Sequence, residues 1–339
     1  MNRTIFLIES MKKIILIAST IFFIAGFFAG RLIISTAQIV KKEVVNEPMI
    51  EVRDGGYKFI SPLLECENAP ATGLNGMSRV RNEIKKYIED RKAKGDLTDA
   101  SVYFRDMNNG PWFGISESDP FSPASLLKLP VMMAYYKKSE TDPSILTKKI
   151  KFDTGRQLLQ QAFSPSKEIE KGKEYTIEEL IERMIVYSDN AALVLLEENI
   201  DPAEIDKITI DLRVETATDA TPPDYMSVRG YAGLFRILFN ASYLRKSDSE
   251  KILETLSRIQ FDQGLKRGIP KSVSVSHKFG ERELPNGINQ LHDCGIIYVP
   301  GNPYMLCVMT RGSDLRKLAE SIAGISSITY HEVEARLKQ

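Results

Sequence analysis

Between residues 14 and 30 the chain carries no charged side chain, and Ile, Phe, Leu and Ala dominate; Lys12 and Lys13 precede this run, and Arg31, Lys41 and Lys42 come after it. That is the short end for a membrane-spanning helix, and Leu32 to Ser35 extend it if the Arg31 side chain reaches back to the interface. A cleaved signal peptide is the competing reading, with Ser35-Thr36-Ala37 as its small-residue site. Because that site lies beyond Arg31, far from the apolar run, an uncleaved anchor over residues 1–36 is expected, with the remainder exported. Residues 37–75 mix charges with Pro48, Gly55, Gly56, Pro62, Pro70 and Gly73 and keep no period, as a juxtamembrane linker does.

From residue 76 to residue 339 the pattern is that of a folded domain. Val80, Ile84, Tyr87 and Ile88 recur at helical spacing in a charged stretch that stops near Gly95. Ser101 to Met107 reads as a strand, Asn108-Asn109-Gly110 as a hairpin turn, and Pro111 to Ile115 as the returning strand. Apolar Leu126 to Tyr136, introduced by Ser122-Pro123, reads as a buried helix. Thr176 and Glu179 fit a capping box ahead of the stripe Ile177, Leu180, Ile181, Met184 and Ile185. Tyr187-Ser188-Asp189-Asn190 interrupts that helix before Ala191 to Leu196 resume, and further helices fit Val228 to Phe239 and Lys251 to Ile259. The period then changes: Ser272 to His277, Gly295 to Val299 and Tyr304 to Thr310 read as strands, and a helix from about Asp314 to Leu337 closes the chain. An α+β fold satisfies this order, with a five-stranded antiparallel sheet completed by both chain ends, flanked by N- and C-terminal helices, and an all-α lobe inserted between.

Composition narrows the function. With 45 basic and 45 acidic side chains the formal net charge is zero, and 43% of the 339 residues are hydrophobic. That excludes a disordered chain or a disulfide scaffold, and it removes the basic surplus a nucleic-acid binder needs. Cys66, Cys294 and Cys307 show no CxxC spacing, and His277, His292 and His331 form no zinc-binding pair, so neither a metal nor a cofactor is expected. Cys294 and Cys307 can face each other across a hairpin, but directly opposed cross-strand disulfides are strained, so two buried thiols are expected.

Ser125-Leu126-Leu127-Lys128 sets a hydroxyl and an amine three residues apart, on one face of a helix. In the first turn, free backbone N–H groups would meet an oxyanion there. A neutral lysine is a competent base for acyl transfer if burial or a second cation lowers its pKa. The spacing alone is weak: Ser10 to Lys13 and Ser164 to Lys167 repeat it, one at the membrane entry and one in a polar stretch. Neither of those has the buried helix that the chemistry needs, which follows Ser125; downstream of Ser125 come Ser188-Asp189-Asn190 at a helix break and then His277-Lys278-Phe279-Gly280 at a strand end.

On these three motifs the chain from about Met77 onward resembles the class A β-lactamases and the penicillin-binding D,D-peptidases, which share one fold. The resemblance implies Ser125 as nucleophile, Lys128 as its base, and Ser188 as the relay of a proton to the leaving nitrogen. It implies that Asn190, Lys278, Gly280 and Glu281 bind substrate, with the backbone N–H groups of Ser125 and Glu281 forming the oxyanion hole. Lys278 would hold a substrate carboxylate and supply the cation that keeps Lys128 neutral.

Three departures stand out. Phe279 replaces the Thr or Ser whose hydroxyl binds the substrate carboxylate. The Glu-x-x-Asn element that activates the deacylating water is missing, leaving Asp211, Glu215, Asp219 and Asp224 as the loop acids, all expected to be solvated. Pro130 cannot donate a backbone hydrogen bond to Leu126. Trp112, Phe113 and Phe121 are expected in the core, and His277 and His292 as structural histidines. Three functions compete: a β-lactamase-type serine hydrolase with slow deacylation, a membrane-anchored D,D-carboxypeptidase or other peptidoglycan peptidase, and a catalytically idle wall- or partner-binding domain. The expected partners are a β-lactam or a peptidoglycan stem peptide, together with the membrane; no nucleic acid is expected, and the chain is taken as a monomer.

Overall fold

The computed structural model describes residues 50–67, 77–108, 111–153, 155–156, 158, 161–216, 222–284 and 287–338. The expected anchor over 14–30 lies outside them, as do Ser10 to Lys13, Asn109, Gly110 and Asp219. Among the described residues no helix is long and apolar enough to cross a membrane.

In chain order, β1 (Ile50–Arg53) pairs with β2 (Leu63–Glu67), and α1 (Met77–Ala93) leads into β3 (Asp99–Asp106) and β4 (Trp112–Ile115). Next come β5 (Pro120–Phe121), a 3₁₀ turn over Ala124–Leu127, and α2 (Lys128–Ser139). The helical lobe contains the small pair β6 (Lys149–Lys151) and β7 (Glu174–Thr176), then α3 (Ile177–Val186), α4 (Asn190–Glu197) and α5 (Pro202–Asp211). After β8 (Met226–Ser227) come α6 (Val228–Phe239), α7 (Lys246–Ser257), β9 (Val275–Glu283), β10 (Asn289–Ile297), β11 (Tyr304–Gly312) and α8 (Leu315–Leu337).

The main sheet has five antiparallel strands in the order β4-β3-β11-β10-β9, so both ends of the domain complete it. Helix α8 packs on β10 and β11 and contacts α1, while α6 contacts β11, β3 and β10. Cover on both faces leaves β11 almost wholly buried, and so it reads as a continuous apolar run rather than an alternating one. Strands β9 and β10 extend further toward their shared hairpin than their apolar residues suggest. Lys278, Glu281, His292 and Asp293 lie inside them, so polar residues mask the strand signal.

Register decides the cysteines. Cys294 of β10 stands directly opposite Cys307 of β11, with Cα atoms 3.9 Å apart, and the two form a disulfide. The expectation of two thiols is corrected: the hairpin does set the two cysteines face to face, and the strain expected of a directly opposed pair does not keep them apart. Trp112 is also not in the core: it is exposed, stacked on Tyr103 and covered by the Arg229 guanidinium, whereas Phe113 and Phe121 are buried.

The segment expected as a linker is docked where it is described. Glu250 of α7 accepts the backbone N–H groups of Lys58, Phe59 and Ile60 at 2.9 to 3.2 Å, and the Phe59 and Ile60 side chains are buried. Ser61 N–H donates to Phe239 at the end of α6, and Tyr298 OH donates to the Phe59 carbonyl.

Candidate active site

Ser125 sits in the 3₁₀ turn that runs directly into α2, where Lys128 is the first residue. At three residues per turn, positions i and i+3 eclipse, which lines Ser125 up with Lys128. Ala124 holds a left-handed φ of 47° and Ser188 one of 59°, sparsely populated conformations for non-glycine residues beside the reacting groups. Pro130 finds its explanation here. It lies in the first turn of α2, where an N–H has no intrahelical partner, and the Leu126 carbonyl is instead taken by the buried Tyr231 hydroxyl at 3.0 Å.

Strand β9 presses against this turn at Gly280. A Cβ there would come within 2.9 Å of the Pro123 carbonyl oxygen and 3.2 Å of Leu126 N, so a glycine is required for the approach. The neighbouring Lys278 reaches Ser188 Oγ at 3.2 Å and the Phe279 carbonyl at 2.9 Å. Lys128 Nζ donates to Ser188 O at 2.6 Å, Ser188 Oγ at 3.1 Å and Asn190 Oδ1 at 2.8 Å. Two amines thus share one hydroxyl, although their residues are 150 positions apart in the chain. Asp189 caps α4 through Ala191 and Ala192 and also accepts the Ile169 N–H, which fixes the Ser188 turn.

Burial drives Lys128 down to about 7, against the opposing fields of Asp189, Glu281 and Glu197. Burial also lowers Lys278 well below the ordinary lysine range, and Lys128 adds to that lowering. The expectation that Lys278 is what depresses Lys128 is therefore revised: removal from water comes first. Three acceptors around Lys128 Nζ saturate an ammonium; a neutral amine donates to two and keeps a lone pair for another proton. The partners that hold Lys128 Nζ come from Ser188 and Asn190.

Of the loop acids described, Asp211 is exposed, as expected, whereas Glu215 and Asp224 are partly buried. Asp224 accepts from Gln290 at 2.9 Å and pairs with Arg311 at 2.9 Å. Glu215 accepts from Ser227 Oγ at 2.6 Å, beside the start of α6, and its Oε2 is buried. Asp211 pairs with Lys207 and Tyr243. Besides Asp189 and Glu281, the acid whose field reaches Lys128 is one the sequence did not single out, Glu197, seven residues after Asn190 and on the same face of α4. Burial raises its pKa, opposed by Arg156 at 3.5 Å. The residue count from Asn190 was the signal that could have found it.

His277 Nδ1 bonds Asp293 at 2.8 Å, and His292 Nε2 faces the Ser122 carbonyl at 2.9 Å, with burial lowering its pKa to about 4. Phe279 is stacked on Phe261 at 4.2 Å. Ser164 and Lys167 are exposed on a loop and form no such cluster.

Comparison with known proteins agrees with this arrangement. The family described as "Beta-lactamase enzyme family" matches residues 79–333. The chain belongs to that family. No curated protein matches it. Among solved structures it is similar to PBP-A, at 20% identity and a TM-score of 0.63, over 76% of this chain and 96% of that one. It is similar to a β-lactamase from Chitinophaga pinensis at 18% identity and a TM-score of 0.65, over 75% and 98% of the two chains. A PBP-A mutant, solved as an acyl-enzyme complex with penicillin-G, is similar at 21% identity and a TM-score of 0.62, over 75% and 97%. These likenesses establish a β-lactamase-like α+β fold, and the family makes the chain a serine hydrolase of the β-lactamase and penicillin-binding type.

Proposed function

We propose that the chain acylates Ser125 with a β-lactam or a D-alanyl peptide amide and releases the acyl group slowly. The observation that carries this reading is the convergence of Lys128, Ser188, Asn190 and Lys278, from three separate segments, beside the Ser125 turn. Lys128 in its neutral form takes the Ser125 proton as Oγ attacks the carbonyl carbon. The oxyanion sits on the backbone N–H groups of Ser125 and Glu281. Ser188 passes the proton to the leaving nitrogen as the C–N bond breaks, leaving an ester on Ser125. Asn190 holds the substrate amide, and Lys278, buried and bonded to Ser188 Oγ and Phe279 O, positions the Ser188 hydroxyl.

Hydrolysis of that ester needs a held and deprotonated water. With Glu215, Asp224 and Asp211 engaged elsewhere, Glu197, paired with Arg156 at 3.5 Å, and Glu281, which accepts the Phe163 N–H, are the acids left to serve, and each is already held by a partner. A misplaced base costs such a step about 10² to 10⁴-fold. The same observation favours the second reading, a peptidoglycan peptidase in which β-lactams form long-lived adducts. The export of the domain behind an N-terminal anchor belongs to either reading.

Intact-mass spectrometry with benzylpenicillin, followed over time, tests the proposal. A single adduct that persists for minutes is expected in the wild type and in Ser164→Ala, and none in Ser125→Ala. Equal labelling of all three would remove Ser125 from the reaction. Rapid turnover with no accumulating adduct would refute slow release, and loss of that turnover in Glu197→Gln would then identify the base.

A further inference from the structure

Residues 161–163 run between the two walls of the site. Gln161 Nε2 donates at 3.0 Å to the Ser188 carbonyl, the oxygen that Lys128 also holds. Two residues later the Phe163 N–H donates at 2.9 Å to Glu281 Oε1 on β9. The Phe163 ring then meets Phe261 at 5.1 Å and Phe279 at 6.2 Å, both edge-on. Glu281 therefore has a role for its side chain as well as for its N–H. Its Oε2 is buried and has no hydrogen-bond partner among the described residues; burial raises its pKa, against the Phe163 N–H and Lys278, and as a carboxylate its field reaches both Lys128 and Lys278.

An acyl donor whose carbonyl oxygen rests on the Glu281 N–H lies within a few ångström of the carboxylate on the same residue. An anionic group next to the scissile bond would meet that charge at short range in a partly dry site, where like charges repel more strongly than in water. The Lys278 amine that would offset the repulsion is already engaged, and burial lowers its basicity. Lys278 Nζ is fully buried, bonded to Phe279 O and Ser188 Oγ, and lies 4.3 Å from the Phe279 ring centroid. The Phe279 ring beside it is packed against Phe261 and Phe163, and position 279 offers no hydroxyl.

We infer that Glu281 is a specificity-determining residue: its carboxylate disfavours acyl donors with an anionic group beside the scissile bond and favours neutral or cationic ones. The inference rests on the acyl-transfer reading and names the substrate class within it. Its test compares the acylation rates of the full chain with benzylpenicillin, its methyl ester and its aminoethyl ester, each read by adduct mass at Ser125. Wild type should react in the order aminoethyl ester, methyl ester, free acid. Glu281→Gln keeps an oxygen for the Phe163 N–H and removes only the charge, so the acid-to-ester rate ratio should rise about tenfold, a ratio in which effects common to both ligands cancel. A ratio unchanged in Glu281→Gln, or a wild type that prefers the free acid, would overturn the inference. If the variant does not fold, the wild-type order decides alone. Absence of any adduct with all three ligands would overturn the acyl-transfer reading itself and this inference with it, an outcome distinct from adducts formed in the wrong order.

Discussion

Lys128 is suited to the proposed role of base because it is fully buried, and the same burial opposes folding. With its pKa at about 7, the rate of penicillin acylation should rise with pH through an apparent pKa near 7 and then level, as a stopped-flow pH series would show. For stability the sign comes from proton counts. Between about 7 and the ordinary lysine value of 10.5, the unfolded chain holds this proton and the folded one does not, so this group makes stability rise with pH across that window. Lys128→Met should abolish acylation, flatten that slope, and raise stability at neutral pH by about 1 to 3 kcal/mol, measured by urea unfolding. Gly280 and Tyr231 hold the nucleophile's turn from two sides. Gly280→Ala forces apart β9 and the turn, and a displacement of about 1 Å is expected to slow acylation about 10²-fold. Tyr231→Phe leaves the Leu126 carbonyl without its partner, at a cost of about 1 to 3 kcal/mol in the same unfolding assay.

At the scale of elements, β9 joins packing to chemistry. Its Lys278 and Gly280 meet the Ser188 and Ser125 turns, its Phe279 and Glu281 meet residues 161–163, and β10 fixes its register through nine paired positions. The next hairpin, β10 to β11, is cross-linked at Cys294 and Cys307. Alkylation of the unfolded chain should therefore label Cys66 alone before reduction and all three cysteines after it, counted by mass. Three labels without reduction would refute the cross-link. The α3 helix shows the opposite case, in which local sequence suffices: Thr176 and Glu179 make both bonds of the capping box.

For the whole molecule, the docked arm ties residues 53–63 to α6 and α7, on elements the chain reaches nearly two hundred residues later. One carboxylate, Glu250, accepts three successive backbone N–H groups, and Phe59 and Ile60 are buried beneath them. Glu250→Ala should release this arm and cost about 2 to 4 kcal/mol, from the lost hydrogen bonds and part of the apolar burial, measured by thermal unfolding of the domain. An unchanged melting temperature would show that the arm adds nothing to the fold. Through these contacts residues 53–63 are packed on the body of the domain rather than held as a loose spacer.

What the sequence determined by itself was local or periodic. Apolar stripes placed α1, α3, α6 and α8, turn residues separated the strands, and the apolar run behind Ser125 distinguished it from Ser164 in its polar stretch. Each of these signals lies within a window of a few residues, where helical and extended periods are written directly. The tertiary structure decided what depends on residues brought together from far apart in the chain. It set Cys294 opposite Cys307, engaged Asp224 with Arg311 and Glu215 with Ser227, and brought Glu197 within the field of Lys128. It pinned Phe163 to Glu281 across 118 positions. It also gave Lys128 its lowered pKa, because a lysine's basicity depends on how much water packing removes around it, and no local run of residues encodes that.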